Sequence, residues 1–473
     1  MVSIVLVALL STHRTSGIAS LGESNHLAAR VVDLINQGDA SSVVSMALPE
    51  VFEKIPAEVL PRLIQQVHSF GVLTPPTLIL DLGEQRRYRI SIKKDGKPDR
   101  QILMTLGAES DSKYFLLSMG PWREKDPNSK PLVSDNRNRL PVDMAVQAAV
   151  DNFLLTYHPT GISIGVLSQN RQSIYNYGEA SQAKLPSSST IYEIGSITKT
   201  MTGLLLAKAT LDKKVSLDED IRKYLPGTFP NLEFEGRAVT LRDLATHTSG
   251  LPANPPGIPD DAKADAYAQY SHEKLLTDLA SIRLTRRPGS QFAYSNMGGG
   301  LCGFIIERLY GKSYEVILKQ EVFGPLKMRQ SGVNLTHAMD LNYAKPFDAL
   351  GKPTDRWTVN GIEGAGAVRS SMEDMMKFAR FNLNERDPAV LLSHSMQSRG
   401  TYPRIGLFWL TESSRLGGTY IGHEGGTGGF TSHILVMPEK QIAVVVMMNK
   451  GEQNAGDLAY EIAFRILQSR QLH

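Results

Sequence analysis

The feature that most limits this chain is where its strand-type segments fall. From Pro141 onward, a helical pattern over Val142–Tyr157 leads into two short β-type runs, Gly161–Leu167 and Ser173–Tyr177. Four more runs come only near the end, at Ile405–Leu410, Thr419–His423, Thr431–Met437 and Ile442–Met448, before a closing helix over about Asn454–Ser469. Between them, roughly 197–385, the pattern is mostly helical. A lone two-stranded hairpin is marginal in water. The early strands are therefore expected to join the late ones in one antiparallel sheet that ties the two ends of the domain together. Terminal helices would flank that sheet, and the long insertion would form an all-helical lobe, giving an α/β (α+β) fold.

The upstream part reads differently. Helical stripes at Leu27, Val31, Val32, Leu34 and Ile35, then at Val59, Leu60, Leu63, Ile64 and Val67, precede strand-type runs at Thr77–Leu82, Tyr88–Lys93, Ile102–Leu106 and Tyr114–Met119. Turn signals such as Asp95-Gly96 separate the runs. This order predicts a small α+β domain over 25–123. The polar, proline-containing stretch 124–140 reads as a linker, and 141–473 as the main domain. At the start, apolar Val2–Leu10 and the small residues Gly17–Ser20 follow the plan of a signal peptide over 1–20, although no Lys or Arg precedes them. Periplasmic or secreted placement is the expectation, with the cytoplasm as the alternative.

Composition narrows the partners. Lys plus Arg exceed Asp plus Glu by only +3, with no polybasic block, so neither nucleic acid nor an anionic membrane surface is implied. No apolar run reaches the roughly 18–20 residues of a membrane span. The single cysteine, Cys302, excludes an intrachain disulfide and four-thiolate or CxxC metal sites. The histidines show no HExxH spacing, and the GGTGG run lacks the Lys-Ser/Thr of a phosphate loop. No metal or cofactor is expected, and the partner is a small molecule. Oligomeric state is left open.

Several serines could be nucleophiles. Gly161-Ile-Ser163-Ile-Gly165 matches G-x-S-x-G, but that motif needs a strand, a sharp turn and a helix, and Ser163 sits inside a β-type run leading to another strand. Ser-x-x-Lys occurs five times, at Ser91/Lys94, Ser110/Lys113, Ser181/Lys184, Ser196/Lys199 and Ser271/Lys274. Only Ser196/Lys199 follows a β-like stretch, IYEI, and opens an apolar helix. Residues i and i+3 share a helix face, which sets the amine one turn from the hydroxyl, while the helix dipole favours negative charge at the serine. Read alone, the pair could equally be a helix cap and a solvated lysine.

Three further elements follow in order: Thr246-His247-Thr248-Ser249-Gly250-Leu251-Pro252, then Tyr294-Ser-Asn296, then His423-Glu424-Gly425-Gly426. With Ser196-x-x-Lys199 they resemble, in order and spacing, the serine β-lactamase and penicillin-binding-protein superfamily. The likeness is to its class C-like branch of class C β-lactamases, D-amino-acid-specific peptidases and family VIII-type esterases, and it runs from Pro141 to the C-terminus. The upstream domain weakly resembles NTF2-like accessory domains. The resemblance implies that Ser196 is acylated, that Lys199 activates it, and that Tyr294 takes and returns protons. It implies an oxyanion hole from the backbone N–H groups of Ser196 and Gly426. Asn296, His423, Glu424 and Gly425 would bind substrate, and His247 would be structural.

Two departures bear on substrate. β-Lactamases of this branch usually carry Lys at His423 and Thr or Ser at Glu424. A carboxylate facing the cleft at Glu424 would repel an anionic substrate. The expected function is a serine hydrolase working through an acyl-enzyme on small esters, amides or D-amino-acid peptides. A true class C-like β-lactamase and a catalytically silent binding protein on the same fold are the other readings.

Overall fold

A computed structural model describes residues 20–47, 59–69, 71–81, 86–93, 100–108, 114–121, 132–155, 157–181, 184–258, 264–398, 404–413 and 419–471. Nearly all of the signal-like start and the first part of the expected linker lie outside the described residues. The chain divides into two units. One is Met1–Ser129 with Asp151–Tyr157 and Glu412–Gly418; the other is Lys130–Val150, His158–Thr411 and Thr419–His473.

In the first unit, helices α1 (Leu21–Asn36), α2 (Ala40–Ser45) and α3 (Val59–Ser69) precede strands β1 (Val72–Leu73), β2 (Thr77–Asp81), β3 (Arg86–Lys93), β4 (Arg100–Ala108) and β5 (Tyr114–Pro121). The strands form one sheet in the order β1-β3-β4-β5, with β2 also on β3. Helix α1 starts at a reciprocal cap. Ser20 Oγ accepts the Glu23 N–H at 3.3 Å, and the Ser20 N–H donates to the Glu23 carboxylate at 2.7 Å. The apolar stripe Leu27, Val31, Val32 and Ile35 is buried in one core with Tyr88, Ile90, Met104 and Leu106.

The second unit is built on seven strands: β6 (Gly161–Ser168), β7 (Arg171–Gly178), β10 (Arg404–Ile405), β11 (Leu410–Ser413), β12 (Thr419–Gly426), β13 (Thr431–Met437) and β14 (Ile442–Met448). Their order is β10-β11-β12-β13-β14-β6-β7. Strand β6 pairs antiparallel with β14 from Ile162↔Met448 to Ser168↔Ile442, which joins the two ends of the unit as expected. A second, two-stranded ladder pairs β8 (Ile191–Glu193) with β9 (Arg369–Ser371). The inserted lobe contains helices α4 (Thr198–Leu211), α5 (Asn296–Tyr310) and α6 (Met372–Asn382), and α7 (Ala455–Gln471) closes the chain. Helix α6 lies on one face of the sheet, where a side chain at Gly165 would collide with Met372 and Met376. Helix α7 packs on β13 and β14.

Two sequence expectations change. Ile405–Leu410 is not one strand, because Phe408 adopts φ +63° and the chain turns, with its N–H donating to Ala245 O at 2.9 Å. The run looks strand-like because Leu407, Phe408 and Trp409 are all buried in the core. The expected linker also ends early. Asp135 accepts the backbone N–H and the side-chain amide of Asn176 at 2.8 and 2.7 Å, and Asn136 Nδ2 donates to Tyr177 OH at 2.8 Å. That segment belongs to the edge of β7.

Candidate active site

Between β8 and α4 the chain makes a single 3₁₀ turn, Gly195–Ile197, that carries Ser196. Gly195 is required there twice over. Its φ is +49°, and a Cβ on it would stand 2.6 Å from Gly426 N and 2.8 Å from Gly426 O. Gly425 is equally constrained, since a Cβ would lie 2.0 Å from Ile194 O. Ser432 Oγ donates to that same Ile194 carbonyl at 3.0 Å. The turn is thus pressed against the end of β12, with the Gly426 amide beside the nucleophile's own turn.

Ser196 is partly exposed, whereas Lys199 in the first turn of α4 is fully buried. Lys199 Nζ lies 2.9 Å from Ser196 Oγ, 2.8 Å from Asn296 Oδ1 and 2.7 Å from Ala365 O. Two of these partners only accept hydrogen bonds, whereas the serine hydroxyl can also donate. Burial pushes the Lys199 amine well below the ordinary lysine range. In its neutral form, with two N–H groups committed to Asn296 and Ala365, the amine would turn its lone pair toward the serine hydroxyl. The glycines at the start of α5 make room for this side chain, since a Cβ at Gly299 would meet Lys199 Cε at 2.9 Å.

Tyr294 OH donates to Ser196 Oγ at 2.7 Å, and its ring centroid is 4.9 Å from Lys199 Nζ. Burial raises the phenol above its ordinary value; the hydrogen bond to Ser196 opposes this, and the Glu424 charge adds to it. Ser295 faces away: its hydroxyl caps α5 by accepting the Gly298 N–H at 2.8 Å and donates to Pro252 O at 2.6 Å.

On β12, His423 and Gly425 share the face toward Ser196, and the His423 ring centroid lies 6.3 Å from that of Tyr294. His423 Nδ1 lies 2.6 Å from Glu424 O, so Nδ1 carries the proton and Nε2 holds the lone pair. Burial pushes this imidazole down to about 3. Glu424, whose facing the sequence left open, turns the other way. Side chains alternate along a strand, and Glu424 pairs across to His433 on the opposite face, above the start of α7. Its side chain is 68% exposed, with Oε1 4.0 Å from His433 Nδ1.

Of the other candidate serines, Ser110 lies outside the described residues and two are accounted for. Ser163 is buried in β6 against Asn176 and Tyr192, and Ser271 caps the helix His272–Ser281. Among the described residues no cluster of His, Cys, Asp and Glu could hold a metal ion. Two contributors were missed at the sequence level, the Ala365 carbonyl and Gly195, while His247, expected to be structural, has its ring 4.4 Å from that of Tyr294. Only Gly195, next to the chosen serine, carried a sequence signal.

Comparison with known proteins points the same way. The Beta-lactamase family model matches residues 146–465. The D-alanyl-D-alanine-carboxypeptidase/endopeptidase AmpH of Escherichia coli (strain K12) is 27% identical over 311 residues, 62% of this chain and 80% of that protein. A beta-lactamase of the same strain is 27% identical over 344 residues, 64% of this chain and 88% of that protein. The crystal structure of a beta-lactamase/D-alanine carboxypeptidase from Pseudomonas syringae superposes with a TM-score of 0.59 at 23% identity, over 70% of this chain and 99% of that one. At that identity the likeness is one of fold.

Proposed function

Since the chain belongs to the beta-lactamase family of serine hydrolases, we propose that it acylates Ser196 and acts on neutral esters or amides, small D-amino-acid peptides included. The observation that carries this reading is Ser196 Oγ held between Lys199 Nζ at 2.9 Å and Tyr294 OH at 2.7 Å. As Oγ attacks the carbonyl carbon, its proton passes to the neutral Lys199 amine. The N–H groups of Ser196 and Gly426 receive the developing oxyanion. The tetrahedral intermediate then expels its leaving group, which takes the Tyr294 proton, and the Lys199 ammonium re-protonates the phenolate. Water repeats the cycle on the acyl-enzyme, with the same two groups as base and acid.

Neutral His423 supports the choice of substrate, because it presents an acceptor and no positive charge where a substrate carboxylate would need one. Hydrolysis of β-lactams is the second reading, favoured by the one observation that Glu424 lies on the far face of β12. Intact-mass analysis after a fluorophosphonate, and separately after a penicillin, tests both. The fluorophosphonate adduct is expected on Ser196 and absent from Ser196→Ala. Labelling elsewhere sinks the assignment, and rapid penicillin turnover selects the second reading.

A further inference from the structure

His247 lies against Tyr294 and has no part in the steps above. Its ring is 4.4 Å from the phenol ring at an interplanar angle of 36°, with Phe292 and Phe408 edge-on at 6.0 and 5.4 Å. Its Nδ1 accepts the Ser295 N–H at 3.1 Å, and its carbonyl accepts the Ala293 N–H at 2.8 Å. The amide groups on both sides of Tyr294 are thus tied to one residue.

Holding a histidine there is costly. The residue sits at φ +55°, a region that side-chain-bearing residues avoid. Because Nδ1 accepts, the ring proton is on Nε2, and Nε2 is buried without a hydrogen-bond partner. A phenylalanine would fill the same space and leave no such atom, so packing alone does not explain the imidazole. Burial holds the ring well below the ordinary histidine range, so it stays neutral and adds no charge beside Lys199.

We infer that His247 is the positioning residue for Tyr294: its ring and its Nδ1 together aim the phenol at Ser196 and at the departing group. The inference rests on the reading of Tyr294 as the proton donor to that group. It predicts a signature that general loss of structure lacks. A p-nitrophenolate leaves without a proton, whereas an alkoxide needs one. Loosening Tyr294 should therefore harm an alkyl ester more than an aryl ester of the same acid.

The experiment compares kcat/KM for ethyl butyrate and p-nitrophenyl butyrate in the full chain. The ratio is taken within each preparation, so any unfolded fraction cancels. His247→Asn keeps an acceptor and tolerates the left-handed backbone but removes the ring. His247→Phe keeps a ring and loses the acceptor. Both are expected to lower the ethyl ester roughly tenfold more than the aryl ester, and neither should move the ratio in a Tyr294→Phe background. Equal losses on both esters would reduce His247 to a structural role and overturn the inference. A shift that persists in the Tyr294→Phe background would also overturn it, because His247 would then act without Tyr294. If Tyr294→Phe itself leaves the ratio unchanged, the donor reading fails first and the inference falls with it.

Discussion

At Glu424 a single register position decides which face of β12 carries the carboxylate. The strand alternation that turns His423 toward Tyr294 turns Glu424 toward His433. Burial pushes His433 down to about 4, so the contact is no ion pair at neutral pH. The Glu424 charge still reaches Tyr294, where it helps to raise the phenol, but through solvent and from the far side of the strand. Screening at physiological salt leaves little of such an interaction. Glu424→Thr is therefore expected to change the ratio of kcat/KM for a chromogenic cephalosporin against a neutral ester by less than about twofold, or about 0.4 kcal/mol. A ratio that shifts five- to tenfold and shrinks at high salt would place the carboxylate within reach of the substrate.

At the scale of elements, the site depends on how closely the 3₁₀ turn before α4 approaches the end of β12. Gly195→Ala would put a methyl group against Gly426 backbone that cannot yield, in a conformation costing about 1–2 kcal/mol for any L-residue. Labelling of Ser196 by a fluorophosphonate is expected to slow by about 100-fold, and the melting temperature to fall by several degrees. Near-normal labelling would mean that the turn and strand can part without harm. The close approach also explains what could be read in the sequence. Ser196, Lys199, Tyr294 and Asn296 are brought together as their motif order implied, because each stands at the edge of an element whose pattern was clear. Ala365 was invisible, since a backbone carbonyl leaves no mark on residue identity. The turn at 406–409 was invisible for a different reason: a buried turn is as apolar as a buried strand. Glu424 needed a pairing register, and one residue of slip would have reversed its face.

For the whole molecule, the sheet that joins Gly161–Ser168 to Ile442–Met448 makes the catalytic unit indivisible, yet the unit starts earlier than its sequence suggested. Asp135 accepts from the backbone N–H and the side-chain amide of Asn176, which is buried and also accepts from Ser163. A chain beginning at Lys130 is expected to melt higher than one beginning at Leu140 by the equivalent of about 1–3 kcal/mol, the cost of leaving those amide groups unpaired. Equal melting temperatures would show that the segment merely rests on β7. Acid should weaken the folded molecule through His423. The unfolded chain binds a proton there below about 6.5, and the folded chain refuses it until about 3. Stability from the neutral ring is thus complete above pH 6.5 and is lost as pH falls toward 3, reaching about 2–3 kcal/mol at pH 4.5. Thermal melts at pH 7.5 and 4.5 should show a smaller drop for His423→Gln than for the unmodified chain. Equal drops would mean that the acid loss comes from other groups and that His423 takes up its proton in the folded state near its ordinary value.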